Sequence, residues 1–130
     1  MKKRLKTYDV KISDSLFNPE DRDQLKVRRA HYRKGKSGRN LYKVYLYLEG
    51  NDVPFIKKAT YTLHQSFNNR VRVIERRPQN PYCKLVLWTW GLFYVKIELE
   101  DINGQRLELN HFLTYGEQIK KGEINWEVQF

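Results

Sequence analysis

Residues 92–113 read LFYVKIELEDINGQRLELNHFL, and this stretch decides the fold class. Ile97 and Leu99 alternate with charged neighbours, Asn103-Gly104 interrupts them, and Leu107 and Leu109 resume the alternation. Alternate side chains of an extended chain share a face, so the apolar set lies against a core while the charged set meets water. An Asn-Gly pair between two such runs predicts a hairpin closed by a type I′ turn, which needs positive φ at both central positions.

The same period of two recurs outward in both directions. Tyr8, Val10 and Ile12 alternate with polar partners in a short first strand, and further strands are predicted at 25–31, 41–49, 55–64, 71–75, 84–88, 92–100, 106–113 and 124–130. Turn signals separate them at 35–40, 50–54, 68–69, 78–81, 103–104 and 116–122. No window carries a 3.6-residue stripe, so helix is expected to be scarce; 14–23 reads as a loop with room for one helical turn at 19–23. Eight or nine short antiparallel strands so spaced predict a sandwich or barrel in one cooperative unit, with no internal repeat.

At 130 residues the chain has the size of one domain, and 40% apolar with 14% aromatic residues is the composition of a folded one. The formal charge of +10 predicts attraction to an anionic partner such as nucleic acid, an acidic protein or a lipid surface, though a solvated basic surface explains it equally well. Cys83 is the lone cysteine, which excludes an intramolecular disulfide and favours a reducing, intracellular setting. The start, MKKRLKTYDV, is a basic arm without a signal peptide's apolar segment, and no stretch approaches a membrane span.

Enzymatic signatures are missing. His31, His64 and His111 are scattered, Cys83 has no ligand-type companion nearby, and the G-x-S-x-G, P-loop and dinucleotide glycine patterns are all absent. The expectation is a protein that is not an enzyme and uses no metal or cofactor. Two aromatic stretches remain. In KKATYTLHQSF at 57–67, Ala59, Tyr61 and Leu63 form the apolar set, while His64 and Ser66 fall on the other face, and Phe67 follows at a loop tip marked by Asn68-Asn69. In Trp88-Thr89-Trp90-Gly91-Leu92-Phe93, Trp88 and Trp90 share a face if extended, and Gly91 permits a turn that lifts Trp90 off the core. Composition by itself favours packing roles for these rings.

Taken together, TYTLHQSF at 60–67, Arg72-Val73, Pro81-Tyr82 and Trp90-Gly91-Leu92-Phe93 resemble the YEATS family in order and spacing over about 25–113. The resemblance implies an immunoglobulin-like β-sandwich with an aromatic slot at one end that binds an acylated lysine, acetyl or crotonyl. It implies Phe67 and Trp90 as the walls, the Ser66 hydroxyl facing the acyl amide, His64 steadying the serine, backbone groups around Trp90 and Gly91 completing the amide contacts, and Phe93 beneath the loop. Thr89 stands where the family usually has Gly, and a β-branched residue there resists positive φ. Tyr42 stands where members usually carry a strand Trp. These departures, with the ending D-x-N-G-x-x-L-x-L-x-x-F-L, resemble the divergent, prokaryotic-type branch. A cytoplasmic reader follows if the host is prokaryotic, a nuclear one with a histone partner if it is eukaryotic. The competing reading is an interaction or structural sandwich that binds an anionic partner through a basic face of Arg28, Arg29, Arg33, Lys34, Lys36 and Arg39.

Overall fold

Alternation along the chain becomes two sheets packed face to face in the computed structural model, which describes residues 8–130. The basic arm at 1–6 lies outside the described residues. One sheet holds β1 (Lys11–Ser15), β2 (Arg29–Lys34), β3 (Asn40–Glu49), β6 (Leu85–Thr89) and β9 (Asn125–Val128). The other, in the order β5-β4-β7-β8, holds β4 (Ile56–Thr62), β5 (Val71–Glu75), β7 (Tyr94–Asp101) and β8 (Arg106–Phe112). On the long β3, β6 takes one edge while β1 and β2 divide the other, and β9 runs parallel to β2.

The core sits between the inward sets. Val44, Leu46, Leu48, Leu85 and Leu87 of the first sheet meet Ala59, Tyr61, Val95, Ile97 and Leu99 of the second, all buried. Fully burying each large side chain contributes roughly 1.5–3 kcal/mol, which ties the strand register to the apolar pattern. The fold is an all-β, immunoglobulin-like sandwich, and the apolar set Ala59, Tyr61 and Leu63 points inward as its alternation requires.

Three local expectations are corrected. The strand predicted at 25–31 splits into α1 (Arg22–Val27) and β2, because the Asp21 side chain accepts the Gln24 N–H as an N-cap and Arg28, at φ 52°, turns the chain before pairing begins. Leu25 and Val27 are exposed, so their spacing reports no buried strand face. The turn expected at 116–122 is α2 (Tyr115–Lys121), started by the Asp14 carboxylate, which accepts the N–H groups of Thr114 and Tyr115. At 103–104 the hairpin forms with Glu100 opposite Arg106, but Gly104 alone has positive φ. Asp101 Oδ1 accepts the N–H groups of Asn103 and Gln105, and Gly104 N–H bonds Asp101 C=O, so the connection is a type I turn with a bulge instead of type I′. No helix among the described residues is long and apolar enough to cross a membrane.

Candidate functional site

β4 ends at Thr62, earlier than the alternation suggests, and the chain folds into a turn in which Phe67 N–H donates to His64 C=O at 3.0 Å. His64 and Ser66 are therefore neighbours through a turn and not through an extended strand. Ser66 N–H donates to His64 Nδ1 at 3.1 Å, and Ser66 Oγ lies 2.9 Å from the same nitrogen. A ring nitrogen that accepts a backbone N–H carries no proton, so the serine hydroxyl must also donate to it. The Oγ lone pairs are left to accept a hydrogen from elsewhere.

Phe67 is half-buried, its ring 5.4 Å from Phe93, and the His64 ring lies 5.9 Å from that same ring, tilted by 53°. Phe93 thus forms a floor under both. Across β6, burial alternates with Leu85, Leu87 and Thr89 inward, so Trp88 and Trp90 have outward parity. Trp90 is 60% exposed, and the Arg39 guanidinium lies 4.0 Å from its ring centre. Strand parity, not Gly91, keeps Trp90 off the core: Gly91 has no positive φ, and a Cβ added there would meet nothing within 4 Å. Thr89 likewise takes no positive φ, so its β-branch is accommodated without strain.

The loop after β6 is held from behind. Thr89 Oγ1 accepts the Gly91 N–H at 3.4 Å, and the Tyr115 hydroxyl donates to the Gly91 carbonyl at 2.7 Å. Burial, with smaller effects from Tyr42 and Asp14, pushes the Tyr115 phenol up to about 12, so it stays a donor. Tyr115 in turn is positioned by Asp14, a buried carboxylate that accepts from His111 Nε2 (2.6 Å), Thr114 Oγ1 (2.9 Å) and the Tyr115 N–H (2.8 Å). Neither Asp14 nor Tyr115 was singled out from the sequence. The available signal was a carboxylate with inward parity between Ile12 and Leu16.

His64, Ser66, Phe67, Trp90 and Gly91 all line one open cleft of about 480 Å³, with Phe93 among the remaining walls. The Trp90 N–H finds no acceptor among the described residues. The six residues of the anticipated basic face differ in their partners. Arg28 lies over Phe17 and donates to Glu123 C=O, and Arg29 pairs with Glu127 at 3.4 Å. Arg33, Lys34, Lys36 and Arg39 gather instead around the turn at the far end of the β2–β3 hairpin. Arg33 covers Trp88 at 4.3 Å, so two of these four cations stand on tryptophan rings. Among the described residues no group of three His, Cys, Asp or Glu side chains is arranged to hold a metal.

Residues 42–114 match the family described as prokaryotic YEATS domain. The chain belongs to that family. Among solved structures, this YEATS chain resembles the Yaf9 YEATS domain recognizing a succinylated histone H3 peptide, with a TM-score of 0.53 and 20% identity over 91% of this chain and 82% of that one. A separate structure of the Yaf9 YEATS domain aligns with a TM-score of 0.51 and 20% identity, covering 91% and 83% of the two chains. Both establish a common fold. The yeast AF-9 homolog Yaf9 aligns at 27% identity with a TM-score of 0.48, over 57% of this chain and 54% of that chain, so the match spans about half of that relative. No curated protein matches this YEATS chain.

Proposed function

We propose that this YEATS domain is a non-enzymatic reader of acylated lysine and that the cleft between Phe67 and Trp90 receives the acyl group. The observation that carries the reading is that Phe67 packs on Phe93, not on Trp90, while both Phe67 and Trp90 line the same open space. A large exposed Trp at the edge of an open cleft is hard to account for by packing. Family membership and the likeness to a Yaf9 domain that recognizes a succinylated histone peptide support it.

The polar groups suit an amide. Ser66 Oγ, its own hydrogen directed at His64, can accept the lysine Nζ–H, and the unpaired Trp90 N–H can donate to the acyl oxygen. Flat acyl groups gain from two ring faces, which favours acetyl and the longer, unsaturated crotonyl. Unmodified lysine is rejected twice: its ammonium would lose water in an apolar cleft, and the Arg39 guanidinium on Trp90 adds like-charge repulsion. An acylated protein segment is the partner, and no cofactor enters.

Titration of acetyl-lysine, crotonyl-lysine and unmodified peptides of one sequence, followed by Trp fluorescence, tests this. The expected result is saturable binding at roughly micromolar Kd for the acylated peptides only, weakened at least about tenfold in Phe67→Ala and in Trp90→Ala. Equal binding of acylated and unmodified peptide would overturn it.

A further inference from the structure

A second cleft, of about 400 Å³, opens at the end of the β2–β3 hairpin and is lined by Tyr32, Lys34, Asn40, Tyr42, Ile119 and Trp126. Tyr32 is register partner to Tyr42 and Lys34 to Asn40, so alternation brings these four side chains to one face. β9, added parallel beside β2, contributes Trp126. Its ring lies 6.1 Å from Tyr32 at 81° and 5.3 Å from Tyr42 at 44°, so three rings build an open corner instead of a closed stack. Trp126 remains 40% exposed.

Two polar features in this corner lack partners. The Asn40 side-chain oxygen is buried and accepts no hydrogen bond, an unfavourable state that an occupant with a donor would relieve. Lys34 makes no ion pair among the described residues, and the hairpin turn beside it adds Lys36. The occupant these features fit is flat, presents an N–H to a carboxamide oxygen, and carries negative charge. A methylated ammonium suits three rings but not an adjacent lysine, and a proline-rich segment brings neither the charge nor the N–H. A nucleotide brings all three.

We propose that the Tyr32, Tyr42 and Trp126 corner is a nucleotide site: a base with an exocyclic amine rests on the rings, that amine donates to Asn40 Oδ1, and the phosphate meets Lys34. This site shares no residue with the acyl-lysine cleft and does not depend on that cleft's function. The nucleotide can be free or part of a single strand, and the recognised chemistry is the same.

The experiment titrates the full chain with AMP, with N6,N6-dimethyl-AMP and with single-stranded oligoadenylate, following backbone and indole amide shifts. Saturable shifts at Trp126 and Asn40 are expected. Dimethylation removes the amine hydrogens and should weaken AMP about tenfold, the worth of one hydrogen bond to a buried acceptor. Trp126→Ala should weaken either ligand by at least about tenfold, within the range for loss of one stacking ring. Lys34→Ala, at an exposed position that leaves folding intact, should weaken binding and flatten its salt dependence. AMP binding assigns the site to free nucleotides, and oligoadenylate binding without AMP binding assigns it to a strand. No saturable binding of either, or binding that survives both Trp126→Ala and Lys34→Ala, overturns the proposal.

Discussion

Replacing Asp14 by alanine should cost more than any surface substitution in this domain, although residue 14 touches no ligand. The carboxylate accepts from His111 Nε2, Thr114 N–H, Thr114 Oγ1 and Tyr115 N–H. Thr114 is exposed and can turn its hydroxyl to water, but Tyr115 is 2% exposed and the His111 ring nitrogen faces the same buried spot. Two stranded donors at about 1–3 kcal/mol each give a loss of about 4 kcal/mol, out of the 5–15 kcal/mol that is typical of a domain. Urea unfolding followed by Trp fluorescence should show that loss as a lower midpoint at unchanged slope, and the Tm should fall by ~15 °C. Asp14→Asn keeps one acceptor and should lose roughly half as much by the same counting. Because α2 then no longer fixes Tyr115 against Gly91, acyl-peptide affinity should drop as well. A loss under about 1 kcal/mol in Asp14→Ala would refute the idea that this carboxylate braces the Trp90 loop.

Other outcomes follow from single groups. Tyr61 is fully buried and donates to Cys83 C=O at 2.7 Å, so Tyr61→Phe should destabilise by about 1–2 kcal/mol in urea, and no change would mean that the carbonyl is otherwise satisfied. Burial pushes the Cys83 thiol up to about 11 and hides it from solvent, so iodoacetamide at pH 8 should label it only after unfolding; rapid labelling of the native protein would contradict the packing. His31 is held below the ordinary histidine value by burial and then by Lys43, and the unfolded chain therefore takes up the proton more readily. Stability is complete above about pH 6.5 and declines as pH falls towards the lower folded value, so a His31→Gln variant should lose less between pH 7.5 and 5.5 than the parent. Equal losses would remove His31 from that account.

What could be read from the sequence follows the range of the interactions. Period-two alternation is a local property, and the strands at 71–75 and 106–112 carry it almost to their ends. Capping is less visible. The helix at 22–27 depends on one aspartate, and the helix at 115–121 on a carboxylate a hundred residues away, so neither shows a helical stripe. At the 103–104 hairpin the Asn-Gly pair signalled a reversal, but Asp101 selected the turn type through its own side chain.

The candidate site divides in the same way. His64, Ser66 and Phe67 lie within one short stretch, and the Trp90 loop has its own aromatic signature, so the resemblance marks them as candidates from local sequence. Their support was hidden because it needs residues 14, 91, 111 and 115 to meet across the fold. Arg39 was grouped with a basic surface, and only tertiary structure lays it on Trp90. The second aromatic corner depends on β9 pairing in parallel with β2, which no local pattern at 124–130 announces.

Intermolecular NOEs from a crotonyl-lysine peptide bound at saturation test the central claim most directly. The account predicts contacts from the acyl protons to the ring protons of both Phe67 and Trp90, together with a shifted Trp90 amide. Acyl protons that touch neither ring while the peptide is fully bound would contradict it.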